Sequence, residues 1–167
     1  MTKREKVSRS TIKEQLNAKY GKDIYWADVP NYEGNYMVSN LGHVLSLERT
    51  CSGLRERRVR ERLMKPIRFY HIKNNVKKLA AIAINLSSEE VGRTTCSIAR
   101  LVLTSFKGDS YGCIPTHLDG NAENNSLSNL KWSTYSEIAI RNPNGGYFHS
   151  SSNQVKNPAT RDCAVRR

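Results

Sequence analysis

Paired cysteines, long apolar runs and acidic charge are all scarce in this chain, and each shortage removes a class of protein. The four cysteines, Cys51, Cys96, Cys113 and Cys163, stand alone, with no CxxC pair anywhere. Their isolation argues against a structural zinc cluster and against a disulfide scaffold, so reduced thiols in a cytosol are expected. No apolar stretch approaches membrane-spanning length, and the opening MTKREKVSRS lacks the apolar segment of a secretion signal. The expected setting is cytoplasmic, with no membrane partner. Acidic residues number 15 against 27 Lys and Arg, leaving a formal charge of +12. Such an excess favours a polyanionic partner, because each neutralised phosphate releases a counterion. A solvated basic surface or a ribosomal-type RNA binder would share this composition. At 167 residues there is room for one modest domain or two small modules.

The first ten residues are basic and polar and read as an arm. Ile12, Leu16 and Tyr20 then recur at four-residue steps, with Thr11 to cap a helix and Gly21 to end it. Residues 26–47 carry Trp26, Val29, Tyr32, Tyr36, Val38, Val44, Leu45 and Leu47 around turns at Gly34 and Gly42. Asn40-Leu41-Gly42 sits where a hairpin must reverse, so this is a compact β-rich module. The run LRERRVRERLMKPIR that follows fits a helix by composition, or the second strand of a hairpin turning at Cys51-Ser52-Gly53. In the strand form Arg58, Arg60 and Arg62 share one face, and a basic two-stranded ribbon fits a major groove. A solvated face with Glu56 and Glu61 as counter-charges is the plainer alternative. Residues 69–92 read as strands and turns, with residues 79–84 a buried strand and Ser87-Ser88-Glu89-Glu90 an exposed turn. Residues 97–106 suggest a short helix with Ile98, Leu101, Val102 and Phe106 on one side.

The most informative stretch is CIPTHLDGNAENNSLSNLKWSTYSEI, residues 113–138. Ile114 leads a strand to Pro115, Thr116 and His117; a polar loop follows, held by Asn and Ser side chains bonding their own backbone. Asn129-Leu130-Lys131-Trp132 reads as the returning strand, and Thr134 with Glu137 has the form of a helical capping box. After residue 140, Arg141-Asn142-Pro143-Asn144-Gly145-Gly146 breaks the helix, and the Ser/Asn-rich tail has too few apolar residues for a helix-turn-helix.

His117, Asp119-Gly120-Asn121, Asn124-Asn125, Asn129-Leu130, Trp132, Thr134 and Glu137 together resemble the HNH motif, the ββα-metal (His-Me) finger of homing and phage endonucleases. Trp26, Asp28, Pro30, Tyr32-Glu33-Gly34, Tyr36, Val38-Ser39-Asn40, Gly42 and Val44 likewise look like the modular DNA-binding motif that precedes many such nucleases. The resemblance covers about residues 24–142 and implies an α+β fold. It divides the chain into an arm and short helix (1–22), a DNA-binding motif with a basic β-ribbon (23–68), an HNH-like finger (69–142) and a flexible tail (143–167). It implies double-stranded DNA as partner and a bacterial or phage-infected cell as setting, with a mobile element as the source of such genes. His43, Arg49, Arg55, Arg57, Arg58, Arg60, Arg62, Lys65 and Arg68 are the candidate DNA contacts.

In such a finger the His is the general base, the later Asn orients its ring, and magnesium or another divalent cation neutralises the phosphate. His117 and Asn129 fit the first two roles. Thr116 stands where metal-binding members carry Asp, and Ile138 where they carry Asn or His; Asp119, Glu137 and Asn142, the last one turn on, are the candidate substitutes. Ala99 replaces a commonly present His in the preceding helix. Two readings stay open. One is a sequence-specific DNA-binding protein with weak or no cleavage, needing no cofactor and acting as a repressor or transcription regulator. The other is a metal-dependent site-specific endonuclease or nickase that hydrolyses a phosphodiester.

Overall fold

A computed structural model describes residues 12–21, 23–51, 56–73, 75–89 and 91–141; the basic arm, Arg55, Asn142 and the tail lie outside the described residues. The fold is α+β. Helix α1 (Ile12–Tyr20) precedes a small antiparallel sheet of β1 (Trp26–Asp28), β2 (Tyr36–Ser39), β3 (Val44–Ser46) and β6 (Arg62–Leu63), joined in that order. A hairpin of β4 (Arg49–Cys51) and β5 (Arg57–Val59) is inserted between β3 and β6. A second antiparallel sheet holds β7 (Ile67–Lys73), β8 (Val76–Ser88) and β9 (Gly92–Ser97). Helix α2 (Ile98–Lys107), the hairpin β10 (Ile114–His117) and β11 (Leu130–Ser133), and helix α3 (Tyr135–Arg141) complete it. No helix among the described residues is long and apolar enough to cross a membrane, and the three described cysteines are free.

Helix α2 is the common wall of the molecule. Ile98, Ala99, Leu101, Val102 and Leu103 are all buried, and the helix touches β1 and β2 of the first sheet, β8 and β9 of the second, and both strands of the finger. Val29, Tyr32, Tyr36, Val38 and Val44 from the N-terminal module join Ile84, Leu86 and Leu130 in one hydrophobic core around it. Each such aliphatic side chain contributes about 1.5–3 kcal/mol on burial. A division at 68/69 passes through β7, and the core runs across it.

The arginine-rich run is a strand pair rather than a helix, turning after Cys51, but its arginines do not line one ribbon. The chain leaves the β4–β5 ladder after Val59; Arg60 and Glu61 lie outside any strand, and β6 then pairs with β3 through Leu45↔Leu63 and Ser46↔Arg62. The cause is β3, whose open backbone edge next to the core is satisfied by β6 and by Met64 N donating to Val44 O at 2.8 Å. Arg58, Arg60 and Arg62 are thereby split between two sheets and a link.

Two other expectations shift by a few residues. In β8 only Ile82, Ala83 and Ile84 of residues 79–84 are buried, because the first part of this long strand stands away from the core. The strand also continues through Ser87 and Ser88, so the turn begins only at Glu89. Asn129 closes a single 3-10 turn (Leu127–Asn129), and the returning strand starts at Leu130.

Candidate active site and nucleic-acid interface

His117 ends β10, opposite Leu130. The loop that follows is closed by Asp119. Its Oδ1 accepts from the Asn121 amide at 2.8 Å and from Asn129 Nδ2 at 2.9 Å, and its Oδ2 from Asn124 Nδ2 at 2.8 Å. These donors, the Asn121 amide first, hold the exposed carboxyl below the usual carboxylate range, with the nearby His117 adding to the effect. Asn129 ties the two strands together: its Oδ1 accepts from the Asp119 amide at 3.1 Å, its Nδ2 donates to Asn124 O at 2.9 Å, and its own carbonyl accepts from Leu118 N at 2.8 Å.

The partner of the His117 ring is Asn125, not Asn129. Nε2 lies 3.2 Å from Asn125 Oδ1. Asn125 is buried, and its Nδ2 donates to the carbonyls of Ala122 (3.2 Å) and Glu123 (3.3 Å). With the amide nitrogen so committed, the oxygen faces the ring, and Nε2 must carry the proton. The lone pair is then on Nδ1, which suits proton abstraction. The Asn124-Asn125 pair was visible in the sequence, but which of four nearby asparagines meets the ring depends on the path that Asp119 imposes.

The positions expected to bind a cation hold poor donors. Thr116 Oγ1 is buried without a hydrogen-bond partner among the described residues, and Ile138, half-buried on α3, has no lone pair. Asp119 accepts three hydrogen bonds from the loop, two on Oδ1 and one on Oδ2. Glu137 closes a reciprocal capping box, its Oε2 accepting from Thr134 N at 3.0 Å while Thr134 Oγ1 accepts from Glu137 N at 3.3 Å. No three His, Cys, Asp or Glu side chains converge among the described residues. Neither Thr116 nor Ile138 offers a carboxylate to a hard divalent cation.

The candidate DNA contacts separate into three groups. Arg49 is turned inward: Nη1 donates to Asn35 O (3.1 Å), Ser46 Oγ (3.1 Å) and Leu47 O (3.4 Å), Nη2 to Tyr36 Oη (2.9 Å), and the guanidinium stacks 4.7 Å from the Tyr36 ring. His43 packs against Tyr20 at 5.1 Å, and burial, then the Lys19 charge, depress its pKa. Arg58 is paired with Glu48, and Arg68 with Glu123 at 3.3 Å. Arg57, Arg60, Arg62 and Lys65 are exposed, with no partner among the described residues. The distal β7–β8 hairpin adds an exposed surface that the sequence reading missed. Phe69, Tyr70, Ile72 and Val76 stand out of the core there, and Lys77 lies 4.3 Å over the Tyr70 ring.

The NUMOD4 motif matches residues 25–69, and the HNH endonuclease family matches residues 98–139. DNA endonuclease I-HmuI of Bacillus phage SP01 is 33% identical over 110 residues, 65% of this chain and 52% of that protein. The chain thus spans about half the length of the curated relative it matches. A solved structure described as DNA binding and cleavage by the HNH homing endonuclease I-HmuI aligns with a TM-score of 0.49 at 31% identity, covering 71% of this chain and 56% of that one. The chain therefore carries a NUMOD4 motif upstream of an HNH endonuclease domain and is homologous to the HNH homing endonuclease I-HmuI.

Proposed function

We propose that this protein binds double-stranded DNA at a preferred site and cleaves it weakly or not at all, acting by occupancy as a repressor or regulator does. The observation that carries this reading is the contrast within the finger. The His117–Asn125 pair is intact, whereas the two metal positions hold a buried hydroxyl and a hydrocarbon. His117 Nδ1 is able to take a proton from water, but neither Thr116 nor Ile138 offers a carboxylate to hold a cation against the charge that develops on phosphate. Losing one such electrostatic element costs about two orders of magnitude or more in rate. Binding is supported separately, by the charge of +12 and by exposed Arg57, Arg60, Arg62 and Lys65, which have no partner among the described residues. Exposed Phe69, Tyr70, Ile72 and Val76 on the β7–β8 hairpin, with Lys77 and Lys78, offer further apolar and phosphate contacts.

A second reading, metal-dependent nicking, is favoured by the same His117–Asn125 geometry, since that arrangement serves a general base. The test uses a duplex site selected from a random library, carried on a supercoiled plasmid, with magnesium or manganese. The unmodified chain is compared with His117→Ala and Ile138→Asn. No nicking by the unmodified chain, with activity gained in Ile138→Asn, is expected. Metal-dependent nicking by the unmodified chain that disappears in His117→Ala would establish the second reading instead. Binding should weaken steeply with salt, and a flat response would refute phosphate contact.

A further inference from the structure

The turn between β2 and β3 belongs to the NUMOD4 motif, yet it lies against the residue that holds the His117 ring. Asn40 O accepts from Leu127 N at 2.7 Å, two residues beyond Asn125. Gly42 is packed so closely that a Cβ there would lie 2.8 Å from Asn125 Cβ and 3.1 Å from its carbonyl oxygen. The turn itself has little freedom. Asn40 Oδ1 accepts from Tyr25 N at 3.0 Å, its Nδ2 donates to Asp23 O at 2.9 Å, and Ser39 Oγ accepts from the amides of Leu41 (3.3 Å) and His43 (3.0 Å).

We infer that Gly42 and Asn40 are positioning residues of the finger, holding Asn125 and through it the proton arrangement of His117. The route is short. Asn125 is buried, with its Nδ2 shared between two carbonyls and its Oδ1 on the ring. Displacing its Cβ moves the amide plane, and the ring loses the acceptor that fixes the proton on Nε2. A backward-turned amide would present N–H to the ring and drive the ring proton to Nδ1, removing the base. The NUMOD4 turn therefore meets the finger at Asn125 and at the Leu127 amide, and movement of the turn reaches His117 through Asn125. This inference rests on the reading of His117 and Asn125 as the site's central pair, but not on cleavage.

Glycine at 42 is also needed for backbone reasons, since its φ is +84°, so the test must separate strain from contact. Gly34 supplies the control: its φ is +71°, and a Cβ there would meet nothing within 4 Å. The measurement is the His117 ring N–H in the full chain labelled with ¹⁵N-histidine, above the ordinary histidine pKa at about pH 8. His117→Gln assigns the signal. A solvent-protected Nε2–H proton is expected in the unmodified chain and in Gly34→Ala. In Gly42→Ala its exchange should accelerate by about tenfold or more, towards the value in Asn125→Ala. If Gly42→Ala does not fold, Asn40→Ala loosens the same turn without adding atoms and should accelerate exchange in the same direction. Protection in Gly42→Ala, or in Asn40→Ala where that is the variant available, equal to the unmodified chain would overturn the inference. So would equal acceleration in Gly34→Ala. A proton on Nδ1 in the unmodified chain would instead bring down the His117 base reading itself, and this inference with it.

Discussion

Replacing Arg49 with Ala should unfold the protein more readily without touching its electrostatic grip on DNA. The guanidinium serves four acceptors, Asn35 O, Ser46 Oγ, Leu47 O and Tyr36 Oη, and covers the Tyr36 ring. A hydrogen bond from a charged donor contributes about 1.5–3 kcal/mol. Nη1 divides two protons among three acceptors, and the group is only half-buried, so water recovers part of the loss. The expected cost is about 2–4 kcal/mol, which for a chain of this size lowers Tm by roughly 5–15 °C. Arg49→Lys keeps the charge but cannot span both arms, and should recover less than half of that. Because the cation faces inward, the slope of log Kd against log salt should not change. Arg57→Ala, Arg60→Ala, Arg62→Ala and Lys65→Ala should behave oppositely. Each should leave stability within about 0.5 kcal/mol and, where it contacts a phosphate, reduce the slope by about 0.9. Thermal unfolding and fluorescence anisotropy titrations between roughly 50 and 200 mM salt read both quantities. An Arg49→Ala protein with unchanged Tm and a shallower salt slope would refute the reasoning.

His43 is held below its usual pKa, so the unfolded chain takes up its proton first as pH falls through about 6.5. Its contribution is complete above that pH and is lost below it, towards the folded value. The drop in urea midpoint between about pH 7.5 and about pH 5.5 should shrink in His43→Gln, and an unchanged drop would count against this assignment. Asn129→Ala removes three side-chain hydrogen bonds from the loop and should cost about 2–3 kcal/mol by urea unfolding; a loss below about 0.5 kcal/mol would show the loop to be held otherwise. Thr134→Ala removes the cap of α3 and should cost about 1 kcal/mol, seen as roughly fivefold faster amide exchange at Glu137 and Ile138.

Local chemistry was legible; direction was not. The strand–loop–strand–helix of the finger and the Thr134–Glu137 capping box could be read from the chain because their partners lie within a few residues. Choosing Asn125 over Asn129 as the ring's partner required the path of a loop closed by Asp119. Arg49 and Arg57 look alike in a basic run, and only the placement of Tyr36 and Asn35, more than ten residues upstream, turns one inward. The arginine run fitted helix or strand, and the need of β3 for an edge partner decided it. Nothing local to Phe69 and Tyr70 says that the β7–β8 hairpin leaves both of them exposed. Gly42 was recognisable as a turn residue, whereas its contact with Asn125 bridges more than eighty positions.

The shared core around α2 has a consequence for inheritance. Leu130 of the finger and Val38 of the NUMOD4 motif are packed in the same interior, so neither half can be discarded without exposing the other's apolar face. Leu130→Ala alone should cost about 2–5 kcal/mol, much of the margin that keeps a small protein folded. Thr116 and Ile138 lie outside that set of core residues. Exchanges at Thr116 and Ile138 therefore leave the interior that α2, Leu130 and Val38 share untouched.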